Sequence, residues 1–134
     1  LIGALNPAAI QRVGRWGTGY LAGWGDPQDA ARLYEIAETA WQSADRSGRP
    51  RFVAGAYVAL GSRRIDESKE YVRRYYRYRW GDAGADRWVS NIRTSASSVK
   101  DAIQEFSNVG VDELILVPCV DDLGEIDRVM DLLP

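Results

Sequence analysis

The sequence predicts an α/β fold assembled from parallel βα units. Short apolar runs alternate with longer amphipathic stretches along all 134 residues. Two of the runs, Phe52 to Leu60 (FVAGAYVAL) and Glu113 to Pro118 (ELILVP), are continuous instead of alternating, as in strands covered on both faces. Cap chemistry such as Asn6-Pro7 and Asp26-Pro27 follows the early runs within a few residues. Parallel neighbours need a helical crossover, and the crossovers cover the sheet, so alternation with buried strands selects this class.

The first apolar run is Leu1 to Leu5. Asn6 then offers a side-chain acceptor to the first helical amides, and Pro7 suits the first helical position. Ala9, Ile10, Val13 and Trp16 share one helix face, with Gln11, Arg12 and Arg15 opposite, until Gly17 and Gly19 stop the helix. The second unit pairs a strand at Gly19 to Gly23 with a helix opened by Asp26, Pro27 and Asp29. Ala30, Leu33, Ala37, Trp41 and Ala44 repeat along it at three and four, and Arg46 to Pro50 ends it in loop residues.

The strand at Phe52 to Leu60 closes at Gly61 and feeds a helical stretch from about Asp66 to Trp80. That stretch mixes Tyr71, Tyr75, Tyr76, Tyr78 and Trp80 with Arg73, Arg74, Arg77 and Arg79. A break is expected at Gly81-Asp82-Ala83-Gly84, then a weaker segment around Trp88 to Ile92. Ser95, Ser97 and Ser98 cap a helix that buries Val99, Ala102, Ile103 and Phe106 and ends at Gly110. The last unit is the Glu113 to Pro118 strand, an Asp121-Asp122 cap and a helix carrying Ile126, Val129, Met130 and Leu133. The whole, residues 1–134, reads as a single domain.

Composition narrows the functions. Seventeen Lys and Arg against 19 Asp and Glu give a formal charge of −2, so no net positive field draws the chain to nucleic acid. Without His there is no His-based triad, His zinc site or imidazole proton shuttle. The lone Cys119 cannot form an internal disulfide, which leaves the cytoplasm as the default compartment. No apolar run is long enough for a signal peptide core or a membrane span. Asp121 and Asp122 are adjacent and serve as caps more readily than as a converging acid/base pair, and no metal-ligand spacing is present. Residue 1 is Leu inside an apolar run, so the natural start is expected to lie upstream.

The order and spacing of LIGALNPAAIQRVGRWGTGYLAGWGDPQDAARLYEIA, RFVAGAYVALG, YVRRYYRY and VKDAIQEFSNVGVDELILVPCVDDLGEIDRV go beyond pattern. Together they resemble the C-terminal half of luciferase-like monooxygenases. Gly3-Ala4 stands where that family has a glycine pair, and Gly17-Thr18-Gly19-Tyr20 where it has Gly-Asp-Gly-aromatic. The resemblance implies a (β/α)8 TIM barrel that uses reduced flavin mononucleotide (FMN) or a deazaflavin for monooxygenation or hydride transfer on a small-molecule substrate. Such a barrel takes about 250 residues, so the parallel βα units here would form its C-terminal half. The residues contacting the flavin ring, and most acid/base groups, would lie in the preceding half. No catalytic residue is assigned in this chain.

Barrels work at the C-terminal ends of their strands. These are Gly3, Ala4, Leu5 and Asn6; Gly23, Trp24 and Gly25; Leu60 and Gly61; and Pro118, Cys119, Val120 and Asp121. The Gly3 to Asn6 turn feeds a helix N-terminus and suits a cofactor phosphate, where the family's glycine pair also lies. It is equally an economical strand-to-helix turn, and Ala4 in place of the second glycine crowds a close oxygen. Trp24 between two glycines either lies beside the cofactor or caps the barrel mouth by packing. Cys119 reads as a small packing residue, its thiol blunted by Asp121 and Asp122.

Three functions compete at this point. The first is the C-terminal part of a flavin- or deazaflavin-dependent oxidoreductase, inactive without its other half. The second is a non-catalytic half-barrel that closes its sheet edges against another copy, a homo-oligomer. The third is an RNA-binding adaptor using the Tyr/Arg helix. That helix reads better as one burying its aromatics, its Arg stems on the rim beside Glu67 and Glu70, or as a protein interface where rings stay exposed.

Overall fold

A computed structural model describes residues 1–61 and 64–133. Its elements run β1 (Ile2–Gly3), α1 (Pro7–Ile10), α2 (Arg12–Trp16), β2 (Gly19–Leu21), α3 (Pro27–Ser43), β3 (Arg51–Val58), α4 (Ile65–Ser90), α5 (Ala96–Asn108), β4 (Glu113–Pro118) and α6 (Leu123–Met130). The strands form one four-stranded sheet in the order β1-β2-β3-β4. Pairing is parallel, with Ile2 opposite Tyr20 and Gly19, Tyr20 and Leu21 opposite Arg51, Phe52 and Val53. The α/β class and the parallel βα units are therefore observed.

The chain divides into two compact units: residues 1–55 with 105–115, and residues 56–104 with 116–134. In the first, Ile10, Val13, Tyr20, Ala37, Phe52, Val53 and Phe106 are buried. Tyr34 stacks on Phe52 with ring centroids 4.1 Å apart and donates its hydroxyl to the Pro50 carbonyl at 2.6 Å. Gly14 lets α2 approach α3 closely, since a Cβ there would lie 2.1 Å from the Ala40 carbonyl oxygen. Asp112 closes the unit, accepting from the Phe52 amide at 2.8 Å and pairing with Arg49. In the second unit, Val58, Val99 and Val129 form the core, with Leu60, Ile103, Leu116 and Leu132 against it.

Several boundaries differ from expectation, each for a local reason. The first helix is two short ones, α1 and α2, meeting at Gln11. The expected break is present at Gly81, which leaves the helix at φ 67°, but it is one residue long, and the helix after it runs to Ser90 and takes in the segment around Trp88. The aromatics of α4 are not buried as a set. Tyr76 is inside, while Tyr71, Tyr75, Tyr78 and Trp80 are exposed. On α6 the periodicity misleads, because Val129 and Glu125 face inward while Ile126 and Met130 stand in solvent. Asp26 and Asp122 cap α3 and α6 as expected, and Gly110 takes a φ of 86° past α5.

Candidate functional site

Parallel pairing puts the C-terminal ends of β1 and β2 side by side, with Gly3 opposite Leu21. Gly3, Ala4, Leu5, Asn6, Gly23 and Trp24 therefore gather at one end of the first unit. The turn after β1 is held by Tyr20, the aromatic of Gly17-Thr18-Gly19-Tyr20, in a role its sequence position did not announce. Tyr20 is fully buried and donates its hydroxyl to the Ala4 carbonyl at 2.8 Å. Burial pushes that phenol up to about 12, so it stays a neutral donor through the physiological range.

The helix that follows does not offer bare amides. Asn6 Oδ1 accepts from the Ala8 amide at 2.9 Å, and the Asn6 carbonyl accepts from Ala9 at 2.9 Å and Ile10 at 3.0 Å. Pro7 has no N–H at all. The available donor is the Asn6 carboxamide nitrogen, which has no partner among the described residues while its oxygen accepts from Ala8. Gly3 is exposed, and a Cβ there would meet Leu21 only at an ordinary 3.7 Å. Packing within the protein thus does not demand glycine at position 3. Gly23 does require it for conformation, at φ 80°, and nothing lies within 4 Å of where its Cβ would be.

Trp24 has a structural duty. A Cβ on Gly55 would lie 1.5 Å from Trp24 Cε3, so the indole occupies the space above β3 that any side chain at 55 would need. The same strand accepts the β2 turn through the Gly55 amide, which donates to the Gly23 carbonyl at 2.8 Å. Gly55 sits unmarked within an apolar run, and only its glycine identity hinted at a close neighbour.

In the second unit, the ends of β3 and β4 carry Leu60, Gly61, Pro118, Cys119, Val120 and Asp121. A cavity of about 640 Å³ opens there, lined by the last four with Glu67, Glu70, Tyr71 and Arg74 of α4. Its carboxylates are neutralised locally: Arg64 bridges Glu67 at 2.7 Å and Asp121 at 3.3 Å, and Arg73 holds Glu70 at 3.2 Å. The Arg64 guanidinium holds Glu67 below the usual carboxylate range. Cys119 is buried and its thiol is pushed up to about 12. The main cause is burial, with a lesser push from Glu125, so Asp121 and Asp122 are not what blunts it. Asp122 instead accepts from the Gly124 amide at 3.0 Å.

Glu125 was not foreseen. Fully buried, it accepts from the Leu60 and Gly61 amides and pairs with Arg128 at 3.0 Å, so the end of β3 closes on a carboxylate from α6. Among the described residues no group of three or more His, Cys, Asp or Glu converges as a metal site would require. None of the described helices is long and apolar enough to cross a membrane.

Comparison with known proteins finds a likeness of fold among solved structures. No protein-family model and no curated protein sequence matches the chain. Among solved structures, an F420-dependent secondary alcohol dehydrogenase in complex with an F420-acetone adduct superposes with a TM-score of 0.76 and 14% identity, over 98% of this chain and 47% of that one. The coenzyme F420-dependent tetrahydromethanopterin reductase from Methanopyrus kandleri gives a TM-score of 0.53 and 16% identity, over 87% of this chain and 43% of that one. The likeness is one of fold, and the chain spans just under half the length of either structure.

Proposed function

We propose that the chain is the C-terminal part of a luciferase-like oxidoreductase that uses a flavin or deazaflavin, with the cofactor phosphate seated at the shared end of β1 and β2. The observation that supports this reading is the superposition of 98% of the chain on 47% of an F420-dependent secondary alcohol dehydrogenase. Because F420 is a deazaflavin, the same observation favours deazaflavin over FMN. In this reading four preceding βα units complete the (β/α)8 barrel and supply the ring contacts, so the chain is inactive alone.

The residues present fit a phosphate in a defined way. Gly3 gives open backbone for close approach, and the Asn6 carboxamide nitrogen donates to an oxygen. Tyr20 holds the turn through the Ala4 carbonyl, and Leu5 follows Ala4 into the cap. Gly23 leaves its side of the turn open, while Trp24, anchored over Gly55, walls it. The cofactor itself would supply hydride chemistry toward a small-molecule substrate, and the protein's part here is to bind, orient and exclude water. A cytoplasmic setting goes with this reading.

Titration of F420, FMN and riboflavin into the chain, read by absorbance and fluorescence, tests it. Saturable binding of F420 or FMN, at least tenfold weaker for riboflavin, is expected. Equal affinity for FMN and riboflavin, or no binding of any, overturns the phosphate assignment. A second reading rests on β1 and β4 ending the sheet: a non-catalytic half-barrel that joins its edges to those of another copy. A stable dimer that never takes up F420 or flavin would favour it.

A further inference from the structure

The cavity of about 640 Å³ in the second unit is of a size that holds small molecules, about 300–1,000 Å³. One wall comes from α4, where Glu67, Glu70, Tyr71 and Arg74 follow at i, i+3, i+4 and i+7 and so share a helix face. The other comes from the end of β4 and the residues after it, Pro118 to Asp121. Cys119 is buried with a thiol that keeps its proton, so it adds no charge to that wall.

The hydrogen-bonding capacity of the lining is only partly spent. Arg64 takes both oxygens of Glu67, at 2.7 and 2.9 Å. Glu70 and Asp121 are each engaged at one oxygen: Arg73 reaches Glu70 Oε2 at 3.2 Å, and Arg64 reaches Asp121 Oδ1 at 3.3 Å. Among the described residues Glu70 Oε1 and Asp121 Oδ2 therefore keep their acceptor capacity. Arg74, the guanidinium that lines the cavity itself, has no carboxylate partner among them, because Arg64 and Arg73 from outside the lining hold all three acids. Tyr71 adds a half-exposed ring beside it. Nucleic acid is disfavoured on this helix, since Arg73 pairs with Glu70 and Asp86 and Arg77 with Asp82, which leaves few cations for phosphates.

We propose that this cavity binds a small hydroxylated carboxylic acid, its carboxylate on Arg74, its hydroxyls donating to Glu70 Oε1 and Asp121 Oδ2, and its carbon skeleton against Tyr71. A guanidinium fork matches a carboxylate in shape and charge. One uncommitted cation beside carboxylate oxygens suits a single negative charge and repels a second. A neutral polyol leaves Arg74 unmet, and an acid without hydroxyls leaves both acceptors unmet. Calling this ligand the substrate rests on the oxidoreductase reading, whereas the binding itself uses residues of the second unit and needs no cofactor.

Amide chemical-shift titration of the labelled chain tests it with three probes: D-gluconate, D-sorbitol, which lacks the acid group, and acetate, which lacks the hydroxyls. Gluconate is expected to move Tyr71, Arg74, Val120 and Asp121 saturably, with a Kd at least tenfold below that of either other probe. Arg74→Gln should weaken gluconate at least tenfold and leave sorbitol unchanged, while Asp121→Ala should weaken gluconate and sorbitol but not acetate. Both side chains are exposed, and unchanged circular dichroism separates lost binding from lost folding. No saturable movement of these amides by gluconate up to about 50 mM, equal affinity for gluconate and sorbitol, or indifference to Arg74→Gln overturns the proposal. No flavin or deazaflavin enters the titration, so failure here and failure of the oxidoreductase reading show separately.

Discussion

The indole of Trp24 occupies the volume that a side chain at Gly55 would require, with a Cβ at 55 falling 1.5 Å from Cε3 and 1.9 Å from Cζ3 of the ring. One residue from the β2 turn thereby dictates the identity of one in the middle of β3. Gly55→Ala is expected to cost about 1–3 kcal/mol, the usual range for overpacking, and to shift the tryptophan emission. In a Trp24→Ala background the same substitution should cost far less. A double-mutant cycle by urea denaturation checks this, and additive costs would mean that the two do not meet.

Arg46 ties the end of α2 to the end of α3. Its Nη1 donates to the Gly17 carbonyl at 2.6 Å and to Val13 and Gly14 at 3.3 Å, and its guanidinium lies 3.4 Å from the centre of the Trp41 ring. Arg46→Ala should destabilise by about 2–3 kcal/mol, as expected for losing charge-assisted hydrogen bonds and a stacked cation. Arg46→Lys should recover less than half, because an ammonium lacks the planar fork. Thermal unfolding of the two variants checks the order.

Removing the Glu125 carboxylate strands two amides. Glu125→Ala leaves the Leu60 and Gly61 N–H groups without their acceptor and is expected to cost about 2–4 kcal/mol. Glu125→Gln is no rescue, since one oxygen becomes a donor facing an amide. Hydrogen exchange at Leu60 and Gly61 should accelerate in both variants ahead of the rest of β3.

Alkaline pH should weaken the fold, first through the Cys119 thiol and then through a set of phenols raised mainly by burial, Tyr20, Tyr34, Tyr57 and Tyr76. Cys119 has its thiol raised from 9.0 to about 12 and Tyr20 its phenol from 10.0 to about 12, both mainly by burial. Each group's neutral form is the one the fold holds, so the stability it contributes is complete below the unfolded value and disappears as pH rises toward 12. Stability is therefore expected to fall from pH 9, by up to about 1.4 kcal/mol per pH unit and group. Cys119→Ala should flatten the profile between pH 9 and 10, and Tyr20→Phe should reduce its slope above pH 10, where Tyr34, Tyr57 and Tyr76 still contribute. Denaturant midpoints across pH 8–11 check both.

Much of this architecture is legible in the residues because local signals agree. Asp26-Pro27 opens α3, Gly110 follows α5, and the unbroken FVAGAYV run becomes the buried β3. What escaped depends on contacts distant in sequence. Nothing local marks Tyr20 as the donor to Ala4, Gly55 as the bed of Trp24, or Glu125 as a carboxylate buried on the Leu60 and Gly61 amides that follow β3, 65 and 64 residues away. Periodicity also fails on α6, where an inward Glu125 satisfied by backbone donors outweighs an apolar stripe left in water. At the candidate site the Asn6-Pro7 cap was legible in the residues, and Asn6 accepts from the Ala8 amide as that cap implies, which leaves fewer open amides at the turn.

Amide chemical-shift mapping of the labelled chain, titrated with FMN and in parallel with riboflavin, tests the central claim most directly. The account predicts that FMN moves the Gly3, Ala4, Leu5, Asn6 and Gly23 signals together and saturably, that riboflavin moves them little, and that Gly3→Val abolishes the response. Shifts concentrated on Cys119, Val120 and Asp121, or identical for both ligands, would contradict it.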